Sequence, residues 1–109
     1  MAKQLKLSYQ GKEYVLEYTR AAVRRMEANG FDISQVQTKF MTTIPELFAG
    51  AFYANHRWTK REVIDEIFEH LKGKGELIAK LVEMYNEPMA ALVEDPEDDE
   101  GNASWTAAW

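Results

Sequence analysis

The chain is expected to fold as α+β, mainly α: an N-terminal β-hairpin, a compact bundle of about four to five helices, and a disordered acidic C-terminal tail. Three observations predict this. Apolar and polar residues alternate on both sides of Gln10-Gly11; apolar residues then recur every three or four positions between capping signals up to residue 93; and a dense run of carboxylates follows. With 109 residues, the chain fits one globular domain over residues 1–93, with hairpin 4–18, helices about 20–93 and tail 94–109.

In the hairpin, Leu5, Leu7 and Tyr9 alternate with polar residues before the break, and Tyr14, Leu16 and Tyr18 share one period after it. A two-residue turn at Gln10-Gly11 pairs Tyr9 with Lys12, Leu7 with Tyr14 and Leu5 with Leu16, placing the apolar residues on one face. A lone hairpin is marginal in water, so that face should lie on the helices.

Thr19 can cap a helix from Arg20 to Asn29, with Val23 and Met26 inward, Gly30 ending it and Phe31 placed for a Schellman contact with Met26. Ile33, Val36 and Phe40 suggest a short helix or turn. Thr43-Ile44-Pro45-Glu46 reads as a capping box for a central helix carrying Leu47, Phe48, Ala51, Phe52 and Asn55. Thr59-Lys60-Arg61-Glu62 reads as a second box, for a helix with Val63, Ile64, Ile67, Phe68 and Leu71 inward. After Gly73, a further helix carries Leu77, Ile78, Leu81, Val82 and Tyr85, packed antiparallel to its predecessor, and Pro88 should kink or end it near Asn86 before a short C-terminal helix.

The net charge of -5 argues against a nucleic-acid binder, and its distribution says more than its total. Six of the seven residues 94–100 are acidic, leaving 12 acids against 13 Lys and Arg over residues 1–93. The body is nearly neutral. No cysteine is present, which excludes thiolate nucleophiles and Cys-based metal sites. No apolar stretch follows the N-terminal lysines, and the longest apolar run, residues 47–54, is well short of a membrane span, so a cytoplasmic chain without membrane contact is expected.

Little in the chain can run a reaction, and an enzyme is not expected. Of the two histidines, His56 and His70, the second stands one turn from Glu66, but charged residues opposite an apolar stripe are ordinarily a solvated face. Gly73-Lys74-Gly75 lacks the spacing of a phosphate loop and reads as a helix-to-helix turn. No cofactor and no metal are expected. What remains is protein binding: Trp105 and Trp109 stand in a polar tail, where they have no solubilising purpose and suit interface anchors, while Phe48 and Phe52 suggest an aromatic groove.

Six segments carry a family resemblance over nearly the full length: residues 9–20 (YQGKEYVLEYTR), 23–33 (VRRMEANGFDI), 44–52 (IPELFAGAF), 60–67 (KREVIDEI), 81–88 (LVEMYNEP) and 101–109 (GNASWTAAW). In their order they resemble the tail assembly chaperones of long-tailed, siphovirus-type phages and prophages of Gram-positive bacteria. The resemblance implies a non-catalytic protein of the bacterial host cytoplasm that binds and solubilises the tape measure protein during tail morphogenesis. The major tail tube protein is implied as a second partner, with self-association allowed. Two alternatives stand beside it: a structural head-to-tail or tail-completion component, and a small acidic regulator or inhibitor of a host protein.

Overall fold

The computed structural model describes residues 3–93 and 106–109, with Ala91 and Val93 described by their backbone alone. The chain begins with strands β1 (Leu5–Tyr9) and β2 (Lys12–Leu16), which pair antiparallel with Leu5 opposite Leu16, Leu7 opposite Tyr14 and Tyr9 opposite Lys12. This is the register that alternation and turn length predict. Gln10 and Gly11 both take positive φ, 50° and 79°, as a type I′ turn requires. Leu7, Tyr14 and Leu16 are buried on the shared face.

Helix α1 (Arg20–Ala28) starts where Thr19 Oγ1 accepts from the Ala22 N–H at 3.1 Å. It ends as a full Schellman motif: the Phe31 N–H reaches the Met26 carbonyl at 2.9 Å, the Gly30 N–H reaches Glu27 at 3.0 Å, and Gly30 has φ 93°. A short 3-10 turn, Ile33–Gln35, leads into α2 (Phe40–Gly50).

Two helix starts differ from the sequence expectation. Helix α2 opens at Phe40, because the Thr43 N–H already donates to the Lys39 carbonyl at 2.9 Å; Thr43 is thus a buried residue inside the helix and not its cap. Helix α4 (Arg61–His70) opens one residue later than expected, since the Lys60 carbonyl accepts from Val63 and Ile64, making Lys60 the cap without a side-chain bond. Neither capping box forms.

The central aromatic segment also divides. At the end of α2 the Ala51 N–H turns back to Phe48, and the Ala51 carbonyl instead accepts from the Glu17 N–H of the hairpin at 3.1 Å. A single turn, α3 (Tyr53–His56), follows. Helix α5 (Lys74–Val93) continues through Pro88, so it does not end near Asn86 and no separate C-terminal helix follows within the described residues. Pro88 lacks the backbone donor, and its ring is buried on the same face as Met84 and Tyr85. Helix α4 packs mainly on α2, and α5 packs on both α2 and α1.

One core joins these layers. Leu16 and Tyr18 from the hairpin, Leu47, Phe48 and Phe52 from the centre, Ile67 from α4 and Leu81 and Tyr85 from α5 are all enclosed. Tyr18 and Tyr85 meet edge to face, 5.4 Å between centroids, and the Tyr18 hydroxyl donates to the Leu47 carbonyl that the tightened end of α2 leaves free. Gly50 lies against Met26 so closely that a β-carbon there would overlap its sulfur and methyl. The expected acidic tail from Glu94, including Trp105, lies outside the described residues. Among the described residues, no helix is long and apolar enough to cross a membrane.

Candidate functional site

A docking surface is built at the corner where the hairpin meets α3 and α4. Antiparallel pairing with this register turns the Val15 N–H and carbonyl outward, away from β1. Two side chains of α3 answer them: His56 Nε2 accepts from the Val15 N–H at 3.0 Å, and Asn55 Nδ2 donates to the Val15 carbonyl at 3.2 Å. The outer edge of β2 is thereby sealed, and the short helix is pinned.

Because α3 is pinned, the chain that leaves it has little choice of direction. The Thr59 N–H closes a turn on the His56 carbonyl at 3.0 Å, and Trp58, at the tip of that turn, points into solvent with 90% of its surface exposed. Val63, expected inward on α4, is 37% exposed beside it, because the α4 core face is carried by Ile64 and Ile67. Tyr14, Trp58 and Val63 line a notch of about 600 Å³ together with Lys12, Arg57 and Lys60. Lys12 Nζ stands 5.1 Å over the Tyr14 ring, which is itself 5.1 Å from the His56 ring. Burial, and then the Lys12 charge, hold the His56 pKa below its ordinary value.

A second groove, of about 620 Å³, runs between the end of α1, α2 and the α3–α4 corner. On its wall, Tyr53 lies between two guanidinium groups, Arg25 at 4.7 Å and Arg57 at 5.0 Å from the ring. Arg61 bridges Glu46 and Asp65, each at 3.0 Å. The Arg61 charge is thus matched by carboxylates, whereas a ring contact leaves the Arg25 and Arg57 charges uncompensated. The groove is mixed in charge, since Asp32 and Glu46 also line it.

The candidates named from sequence fall in different places. Phe48 and Phe52 are each 1% exposed and pack edge to face at 5.2 Å, so they are core side chains; only Phe52 reaches a groove wall. Trp109 is fully exposed, while Trp105 lies outside the described residues. Glu66 and His70 do meet, but around the hairpin. The Tyr9 hydroxyl donates to Glu66 Oε2 at 2.7 Å, which with partial desolvation raises its pKa, and His70 Nδ1 lies 2.9 Å from the Glu66 carbonyl. Among the described residues, no three His, Asp or Glu side chains are grouped to hold a metal.

Sequence reading did not single out Trp58. Its signal was available: an indole in a linker, outside both neighbouring apolar stripes and between Arg57 and Lys60. Other apolar side chains left exposed are Phe40 and Met41 at the start of α2, and Met89 and Leu92 toward the end of α5.

A family model described as Domain of unknown function (DUF5055) matches residues 1–109. No curated protein and no solved structure matches the chain.

Proposed function

The chain belongs to the family described as Domain of unknown function (DUF5055), and from that premise we propose that it is a non-catalytic tail assembly chaperone. In this reading it binds and solubilises a phage tape measure protein in the cytoplasm of the bacterial host, with the major tail tube protein as a second partner. The phage assignment rests on the resemblance of six ordered segments.

One observation supports the protein-binding part: Phe40, Met41, Met89 and Leu92 stay exposed on a body whose core is otherwise closed. Methionine is flexible and polarisable, so it fits apolar partners of varied shape. A tape measure is a very long helical chain whose apolar stripes aggregate unless covered, and many similar stripes call for an adaptable surface more than for one shaped pocket.

The test is co-expression with segments of the tape measure protein encoded beside this gene, reading soluble yield and co-purification. The parent chain should raise both. Phe40→Ser/Met41→Ser and Met89→Ser/Leu92→Ser should lower both without lowering the thermal midpoint. Each lost anchor of about 2 kcal/mol weakens binding roughly thirtyfold. Trp105→Ala/Trp109→Ala asks the same of the C-terminal indoles. A parent chain that neither binds nor solubilises any segment would sink the chaperone reading.

A further inference from the structure

The notch around Trp58 has a chemistry that the chain itself complements. Its wall carries three cations, Lys12, Arg57 and Lys60, and no carboxylate among its lining residues. Its accessible apolar surface comes from Trp58 and Val63, since the Tyr14 ring is buried. An indole so exposed at a corner held rigid by Asn55 and His56 loses little entropy when a partner covers it. An occupant matching this notch has clustered carboxylates and a large apolar side chain close by in sequence.

Residues 94–109 meet that description. Six of the seven residues 94–100 are acidic, no Lys or Arg follows Lys80, and Trp105 and Trp109 follow the acidic run closely. Trp109 is exposed and unseated on its own chain. We propose that the Trp58 notch binds the C-terminal acidic segment of a second copy of this chain. Carboxylates of the run meet Lys12, Arg57 and Lys60, and a C-terminal indole covers Trp58 and Val63. Notch and segment are different surfaces, so the contact is heterologous and joins copies head to tail. The interaction is independent of any tape measure, and is read on the isolated chain.

Sedimentation velocity on the full chain over a range of concentrations is the first measurement. Association should be concentration-dependent and should weaken about tenfold or more from low to high salt, as charge pairing at a partly exposed site requires. Trp58→Ala and Lys12→Glu/Lys60→Glu alter solvent-facing groups, and each should abolish it. The decisive arm mixes two chains that are each expected to be monomeric: the notch-reversed Lys12→Glu/Lys60→Glu chain and a segment-reversed Glu94→Lys/Asp95→Lys/Glu97→Lys/Asp98→Lys chain, in which lysines outnumber the remaining carboxylates of the run. Reversed charges should restore association with each other in the mixture. Three results would overturn the proposal: a parent chain that stays monomeric throughout, variants that associate as the parent does, or a mixture that stays monomeric. A parent monomer whose C-terminal indole signals respond to notch reversal even at the lowest concentration would place the segment on its own chain, which also rejects a second copy as the occupant.

Discussion

His56 Nε2 accepts a hydrogen bond from the backbone N–H of Val15, 41 residues earlier in the chain, at 3.0 Å. An accepting nitrogen carries no proton, so the contact requires a neutral ring, and burial with the nearby Lys12 charge lowers the His56 pKa from 6.5. As pH falls past 6.5, the unfolded chain takes up a proton at this position that the folded chain resists. The unfolded state then binds more protons. Stability from this group is therefore complete above pH 6.5 and is lost as pH falls toward the lowered folded value. Thermal midpoints measured from about pH 8 down to about pH 5.5 should decline, and His56→Gln, which can accept without titrating, should flatten the decline. Equal slopes for parent and variant would remove His56 as the cause.

Gly50→Ala should destabilise the chain although alanine is the better helix former. The gain in helix propensity is at most about 1 kcal/mol, and crowding a packed site costs about 1–3 kcal/mol. The crowded atoms are the sulfur and methyl at the far end of Met26, which is buried and has limited room to retreat. Chemical denaturation in a Met26→Leu background supplies the check, because leucine lacks that reach. The cost of Gly50→Ala should shrink there; an unchanged cost would place the strain elsewhere.

Tyr18→Phe should cost about 1–3 kcal/mol, since it strands the Leu47 carbonyl inside the core without its donor. Burial, then proximity to Tyr85, pushes the Tyr18 hydroxyl well above its ordinary pKa, so it remains a neutral donor across the working pH range. The unfolding midpoint in urea reads this directly, and a variant equal to the parent would mean that Leu47 finds another donor.

Thr19→Ala should cost about 1 kcal/mol, and Thr59→Ala only a few tenths, because Thr19 alone of the two accepts a helix N–H. Equal losses in the two denaturation curves would contradict the helix start at Arg61.

These contrasts mark what the sequence makes legible. The hairpin register and the Schellman ending at Gly30 depend on residues a few positions apart, and local pattern captured both. The break after Gly50 could not be read that way. It arises because Glu17, in a distant part of the chain, takes the Ala51 carbonyl. Pro88 misled for the same kind of reason: its local cost is real, yet the helix continues through it with the ring buried among residues distant in the chain. Of the site, Phe48 and Phe52 were legible as aromatic but not as enclosed, since periodicity does not say which of two faces a neighbour covers. Trp58 needed the pinning of α3 to become visible as a surface.

The seal on the β2 edge sets an order of events during synthesis. Val15 and Glu17 leave the ribosome long before Ala51, Asn55 and His56, whose groups complete their hydrogen bonding. Tyr18 waits longer still for the Tyr85 ring. The nascent hairpin therefore spends its first moments with an open edge and an uncovered apolar face, the state in which strands pair with wrong neighbours. Folding of the N-terminal hairpin is completed from the C-terminal side, and a ribosome stalled before His56 would hold out an unfinished sheet.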